Sequence, residues 1–146
     1  MQFDKETQQR ILRVAGQRIE GQDIDEIDER IAHVMDLHPE YEEIWKMGEM
    51  AVYPQEIDGK VVNPFVHTVL HVTVDKQIAD ETPDFVLETF NRLKNEGGEE
   101  HEILHAIIGV YADMYFKNFR RGDTFSNLDY KAELDQLYLN KEKQEG

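Results

Sequence analysis

The six histidines of this chain fall into three close couples: His33 and His38, His67 and His71, His101 and His105. Two of the couples are spaced i, i+4. On a helix that spacing turns the side chain by only about 40°, so both rings project together, one turn apart. A single helix can then offer two imidazoles to one ion, and two such helices facing each other offer four. Imidazole nitrogens suit zinc, nickel, iron or copper and do not choose among them. The last couple also spells H-E-x-x-H. In zinc peptidases that motif supplies two ligands and a base, here Glu102, which polarises the attacking water.

The peptidase reading meets obstacles in the residues themselves. The longer metzincin motif requires Gly and then His, where this sequence has Ile108 and Tyr111. Asp113, Asp123, Asp129 and Glu133 could each supply a third ligand, but none carries a supporting motif. The chain is also short for an enzyme with a peptide cleft. Glu102 reads better as a solvated acid, or one standing behind a metal's ligands, in a cluster with Glu99 and Glu100, in a first turn where negative charge favours the helix dipole. Histidine pairs also occur on surfaces and as capped core residues. His33 projects to the polar flank of its helix and reads as surface; His38, before a proline, reads as a cap.

The elements that must position these rings can be read from periodicity. A first helix is expected over roughly 4–20, with Leu12, Ala15 and Ile19 on one face and Gly21 ending it. Asp23 and Glu26 stand in capping-box spacing before a second helix carrying Ile24, Ile27, Ile31, Val34 and Met35. His38-Pro39 breaks that run, and Pro39 opens a short helix with Tyr41, Ile44, Trp45 and Met47, closed by Gly48. Residues 50–62 form a connector with turn signals at Pro54 and Asp58-Gly59, long enough for a lid, a binding loop or a small hairpin.

Asn63-Pro64 is a helix start signal, a capping side chain followed by a preset backbone angle. The β-branched run after it favours a strand by propensity; the start signal and the continuation to Ala79 favour a helix. In either case His67 and His71 share a face. On a helical wheel His67, His71, Val74 and Ile78 make one stripe beside Leu70, while Phe65, Val69 and Val72 make the opposite side apolar too. A helix apolar on both sides belongs at the centre of a domain. Further helices are expected from Thr82-Pro83-Asp84 to Gly97-Gly98, with Val86, Phe90 and Leu93 inward, over 99–119, and from Ser126, with Leu134 and Leu137 inward. On the 99–119 helix His101 and His105 align with Ile108, Ala112 and Tyr115, so both couples are expected inward or at the core's edge. Tyr111, Tyr115 and Phe119 at helical spacing read as core. The expectation is an all-α, single-domain bundle of six to seven helical segments over residues 1–140, with a flexible tail at 141–146.

Buried imidazoles need partners for their ring nitrogens, and several protonated ones close together repel. A divalent transition metal resolves both difficulties, taking one nitrogen from each ring and excluding its proton. Glu42 and Asp75 are carboxylates that could stand nearby. The second ring nitrogens call for carboxylate or carbonyl acceptors.

Composition limits the partners. With 31 acids against 16 bases the net charge is −15, which repels phosphate backbones and anionic membranes, so neither nucleic acid nor membrane is expected. The chain has no cysteine, which excludes thiolate chemistry and mildly favours a reducing interior. The N-terminus lacks a signal peptide's apolar core and no apolar run nears the roughly 20 residues of a bilayer span, so a cytoplasmic location is expected. Nothing selects a protein partner or a homo-oligomer. A non-catalytic interaction module, docking through Trp45, Tyr53 and the 50–62 connector, remains an alternative to a metal site.

H-P-E-Y at 38–41, N-P-F-V-H-T-V-L-H at 63–71 and H-E-I-L-H at 101–105 together resemble an uncharacterised bacterial family known only as a domain of unknown function. Its pattern is H-P-E-Y, then N-P-F-x-H-x-x-x-H, then H-x-x-x-H, and the resemblance spans about residues 30–140. It implies a small helical protein and no established activity. It carries over His38, His67, His71, His101 and His105, and it makes His38 a candidate fifth ligand. It does not demand Glu between the last two histidines, which weakens the peptidase reading further.

Overall fold

Asp4 begins the first helix as a cap should: its carboxylate accepts the Thr7 N–H at 2.8 Å. The computed structural model describes residues 3–122 and 125–139, apart from the side chain of Phe119. Among these residues it is all-α, with seven α-helices and one two-stranded hairpin. The chain clusters into two compact units, residues 1–72 and 73–146.

The first unit holds α1 (Lys5–Ile19), α2 (Glu29–Asp36), α3 (Glu42–Trp45), the hairpin strands β1 (Gln55–Ile57) and β2 (Lys60–Val62), and the start of α4 (Pro64–Asp80). Its core joins Ile11, Val14 and Ala15 of α1 to Ile31, Val34 and Met35 of α2, to Ile44 and Trp45 of α3, and to Phe65 and Val69 of α4. The inward face of α1 is rotated from the expected one: Ile19 is exposed and Leu12 only half-buried. Ile11 and Val14, at a three-residue step, take the core positions instead.

The second helix also starts later than its apolar pattern suggests. Residues 26–28 form a 3₁₀ turn after Asp25, without the expected Asp23 capping box, and Ile27 is 77% exposed. The residue that organises this corner is Asp28, 1% exposed, which accepts from Arg10 Nε at 2.7 Å and from Arg13 Nη2 at 3.2 Å. Burial opposes its charge, but the two guanidiniums outweigh that and hold its carboxyl below the usual carboxylate range. Its folded pKa is depressed, so its contribution is present above the unfolded value and is lost as pH falls through the folded one. Asp28→Asn is expected to cost about 2 kcal/mol near neutral pH and to flatten the acid limb of a stability–pH curve followed by urea unfolding. An unchanged acid limb would contradict this role.

The connector is the hairpin. Asp58 and Gly59 both have positive φ, 52° and 80°, as a two-residue turn of the twist-matched type requires. Gln55 pairs with Val62 and Ile57 with Lys60. Asn63 comes directly after, its side chain accepting the Val66 N–H at 3.1 Å and donating to the Val52 carbonyl at 3.2 Å. This cap settles the ambiguous run as helix. The expected third helix is more broken, with 3₁₀ turns at Pro39–Tyr41 and Gly48–Val52 on either side of a one-turn α3.

The second unit contains the rest of α4, then α5 (Asp84–Asn95), α6 (Glu100–Arg121) and α7 (Asn127–Asp135). Ser126 caps α7, and Arg92 donates to the Leu134 and Leu137 carbonyls at 3.0 and 3.1 Å, closing its C-terminal end. Val86, Leu93, Ile103, Ile107 and Leu134 are buried. Tyr130, also buried, packs edge-on to Phe85 and Tyr111 and donates to Gln77 Oε1 at 2.9 Å. Burial, and then the nearby Tyr111, push its phenol well above the usual range. Tyr111 and Tyr115, read as core from their spacing, stack on each other but are only half-buried; the Phe119 side chain and the 141–146 tail lie outside the described residues. No helix among the described residues is long and apolar enough to cross a membrane.

Candidate metal centre

His38 lies just past α2 and does not cap the 3₁₀ turn after it. As the residue before a proline it leaves helical angles (φ −125°, ψ 67°), and its side chain makes no capping bond. Its ring turns back instead, with Nδ1 2.8 Å from the Val34 carbonyl oxygen. A carbonyl can only accept, so Nδ1 carries the proton. In the neutral ring Nε2 is then a bare lone pair. The same contact is the kind that orients histidine ligands in metal sites, a backbone carbonyl fixing tautomer and ring plane.

That Nε2 lies 3.0 Å from Nε2 of His67. The ring of His71, one turn further along α4, lies 5.3 Å from that of His38 and 5.9 Å from that of His67, centre to centre. His38 is 3% exposed, His71 0%, and His67 is half-buried. Each of the three offers a ring nitrogen within 4.8 Å of the others. Two nitrogens bound to one ion at about 2.0–2.1 Å stand roughly 3.0–3.4 Å apart, depending on the bond angle. The His38–His67 spacing therefore matches one edge of a coordination sphere. A proton shared between the rings can hold that pair, but two charged imidazoles at this distance cannot coexist without strong repulsion.

Tyr41 gives H-P-E-Y its last letter. Its ring stacks on His38 (5.5 Å, 11° between planes) and meets His67 edge-on at 5.7 Å. Burial, and then the charge of Glu40, raise its phenol, so it remains protonated at neutral pH. It walls the cluster on one side. The sequence flagged its position without a role; a tyrosine three residues after a histidine across a proline turn was the available signal. Glu42 is not turned to the histidines: it pairs with Arg18 at 2.6 Å. Asp75 is half-buried on α4.

The remaining candidates sit differently. His33 is exposed, as expected. On α6, His101 and His105 do come together, their ring centres 4.1 Å apart. The expectation that both point inward holds only in part: His105 is half-buried, whereas His101 is exposed. The helix begins at Glu100, and in its first turn His101 lies on the exposed side with Glu100 and Glu102, while Ile103 is buried. The carboxylates considered for a third peptidase ligand, Asp113, Asp129 and Glu133, are exposed, and Asp123 lies outside the described residues. Trp45, assigned to a docking surface in the interaction-module reading, is 3% exposed and belongs to the core. Its indole is too large to leave in water once α3 packs on α1.

A family model described as a domain of unknown function, DUF1841, matches residues 4–136. This chain belongs to the DUF1841 family. The match takes in all three histidine motifs, so the likeness read from H-P-E-Y, N-P-F-x-H-x-x-x-H and H-x-x-x-H is to an uncharacterised domain. No curated protein and no solved structure matches this DUF1841 chain. A functional reading therefore rests on the histidine geometry itself.

Proposed function

We propose that this DUF1841 protein binds one divalent transition-metal ion through His38, His67 and His71, with His105 as fourth ligand. The observation that carries the reading is the pairing of His38 Nε2 with His67 Nε2 at 3.0 Å, with His38 Nδ1 already committed to the Val34 carbonyl. Several imidazole nitrogens gathered within 4.8 Å in a largely buried setting are a donor set that suits a divalent cation. His105 rather than His101 is assigned because the ligand face of α6 must be withdrawn from solvent, and only His105 is. All-imidazole ligation without thiolate or carboxylate differs from common structural zinc and carboxylate-bridged di-iron sites. Zinc, nickel and iron remain the candidates.

Calorimetric titration of the untagged protein with zinc or nickel tests the ligand set. His105→Ala is expected to weaken binding by about 100-fold, as loss of one of four ligands should, while His101→Ala and Glu102→Gln change it by less than about three-fold. Equal losses for His101→Ala and His105→Ala would contradict the assignment.

A further inference from the structure

The ligand set leaves out one histidine of α6. His101 stands 4.1 Å from His105, ring centre to ring centre. His105 belongs to the group of four histidines whose nitrogens gather within 4.8 Å, and His101 is outside that group. The two rings also differ in burial: His105 is half-buried and His101 is exposed. The couple therefore spans the step from water to the ligands.

That step matters because the other ligands are withdrawn from water. His38 is 3% exposed and His71 0%. The rings of His38, His71 and Tyr41, which stand against half-buried His67, are all buried. A divalent ion arrives hydrated and exchanges its waters for imidazoles one at a time. At a buried ring it must shed much of that water before it gains a ligand, and an ion stripped of water without compensation is costly. At an exposed ring it gains its first nitrogen while still hydrated. The i, i+4 spacing then brings the second ring within reach of the same ion. The positive end of a helix by itself turns a cation away, and exposed Glu99 and Glu102 beside this first turn offset it.

We propose that His101 is the entry ligand of the metal centre: it captures the hydrated ion at the surface of α6, passes it to His105, and receives it again on release. The inference rests on the metal reading above, with His105 as a ligand. A group that acts only along the path lowers the barrier in both directions. It changes uptake and release by the same factor and leaves their ratio, the affinity, unaltered.

The experiment uses the untagged full chain and zinc alone. Release from the loaded protein is followed by the absorbance of excess pyridylazoresorcinol, in the range where the rate no longer depends on dye. Calorimetric titration gives Kd, and the uptake rate follows from the two. His101→Ala is expected to slow release and uptake alike, by about ten-fold, with Kd changed by less than about three-fold. His101→Asp, which returns a metal-binding oxygen to the position, should recover most of the lost rate. Far-ultraviolet circular dichroism checks that both variants keep their helices. Wild-type rates in His101→Ala overturn the proposal. So does a larger loss of affinity, which makes His101 a resident ligand, or slowing that His101→Asp does not relieve, which traces the effect to lost ring packing. A wild-type chain that binds no zinc overturns the metal reading itself, and this inference with it.

Discussion

Replacing His71 with alanine is expected to remove most of the metal-dependent stabilisation. At a free metal concentration one hundred times the dissociation constant, a native-state site adds about 2.7 kcal/mol to the unfolding free energy, a rise of roughly 5–10 °C in Tm for a chain of this size. His71 is the most buried of the three rings in the first unit, so no solvent or neighbouring side chain can replace its nitrogen cheaply. The variant will also be less stable without metal, because a fully buried side chain is truncated. The decisive quantity is therefore the difference in Tm with and without added zinc or nickel, by differential scanning calorimetry. That difference should shrink to a small fraction in His71→Ala and persist in His33→Ala, which alters an exposed ring. Full retention in His71→Ala would place any bound ion elsewhere.

Acidification is expected to release the metal over a narrow range. Protons compete for each imidazole ligand, so below the ordinary titration range of histidine, near 6.5, affinity falls by up to about ten-fold per pH unit per ligand. With four ligands the dependence approaches the fourth power, and a drop from pH 6 to pH 5 should lower affinity by a factor on the order of a thousand or more. The sign is fixed: binding is complete above that range and lost below it. The acid loss of the Asp28 contribution runs in the same direction but lies lower, between the unfolded carboxylate value and a folded one beneath it. The two are separable, because only the first depends on metal. A binding constant that varies less than three-fold between pH 7 and pH 5.5 would rule out imidazole ligation.

Much of the fold could be read from local signals because those signals were themselves structural. Asn63-Pro64, Ser126 and Asp58-Gly59 act through hydrogen bonds and backbone angles within a few residues, and each does in the structure what its chemistry suggests. Asn63 in particular decided helix against strand for 64–74, where β-branched propensity pointed the wrong way. Failures came where distant residues intervened. Nothing in the local pattern singled out Asp28, which Arg10 and Arg13, 18 and 15 residues away, make a buried ionic anchor just before α2. The rotation of α1 that buries Ile11 and Val14 instead of Ile19 depends on α2 and α3 packing against it.

The candidate site was legible as a set of side chains and not as a geometry. Spacing alone put His67 and His71 on one face. It could not show that His38 would forgo capping, bind the Val34 carbonyl and aim its other nitrogen at His67. The resemblance raised His38 to a candidate ligand; the backbone turn forced by Pro39 is the physical reason it can serve as one. For His101 the wheel placed the ring correctly beside His105 but did not register that, at the start of its helix, this side of the first turn is exposed.

The most direct test is the metal content of the untagged protein, purified without chelator and measured by inductively coupled plasma mass spectrometry. A four-histidine site predicts about one equivalent of a single transition metal per chain, lost in the His67→Ala/His71→Ala double variant. Less than about a tenth of an equivalent, with no rise in Tm on adding zinc, nickel or iron, would contradict it.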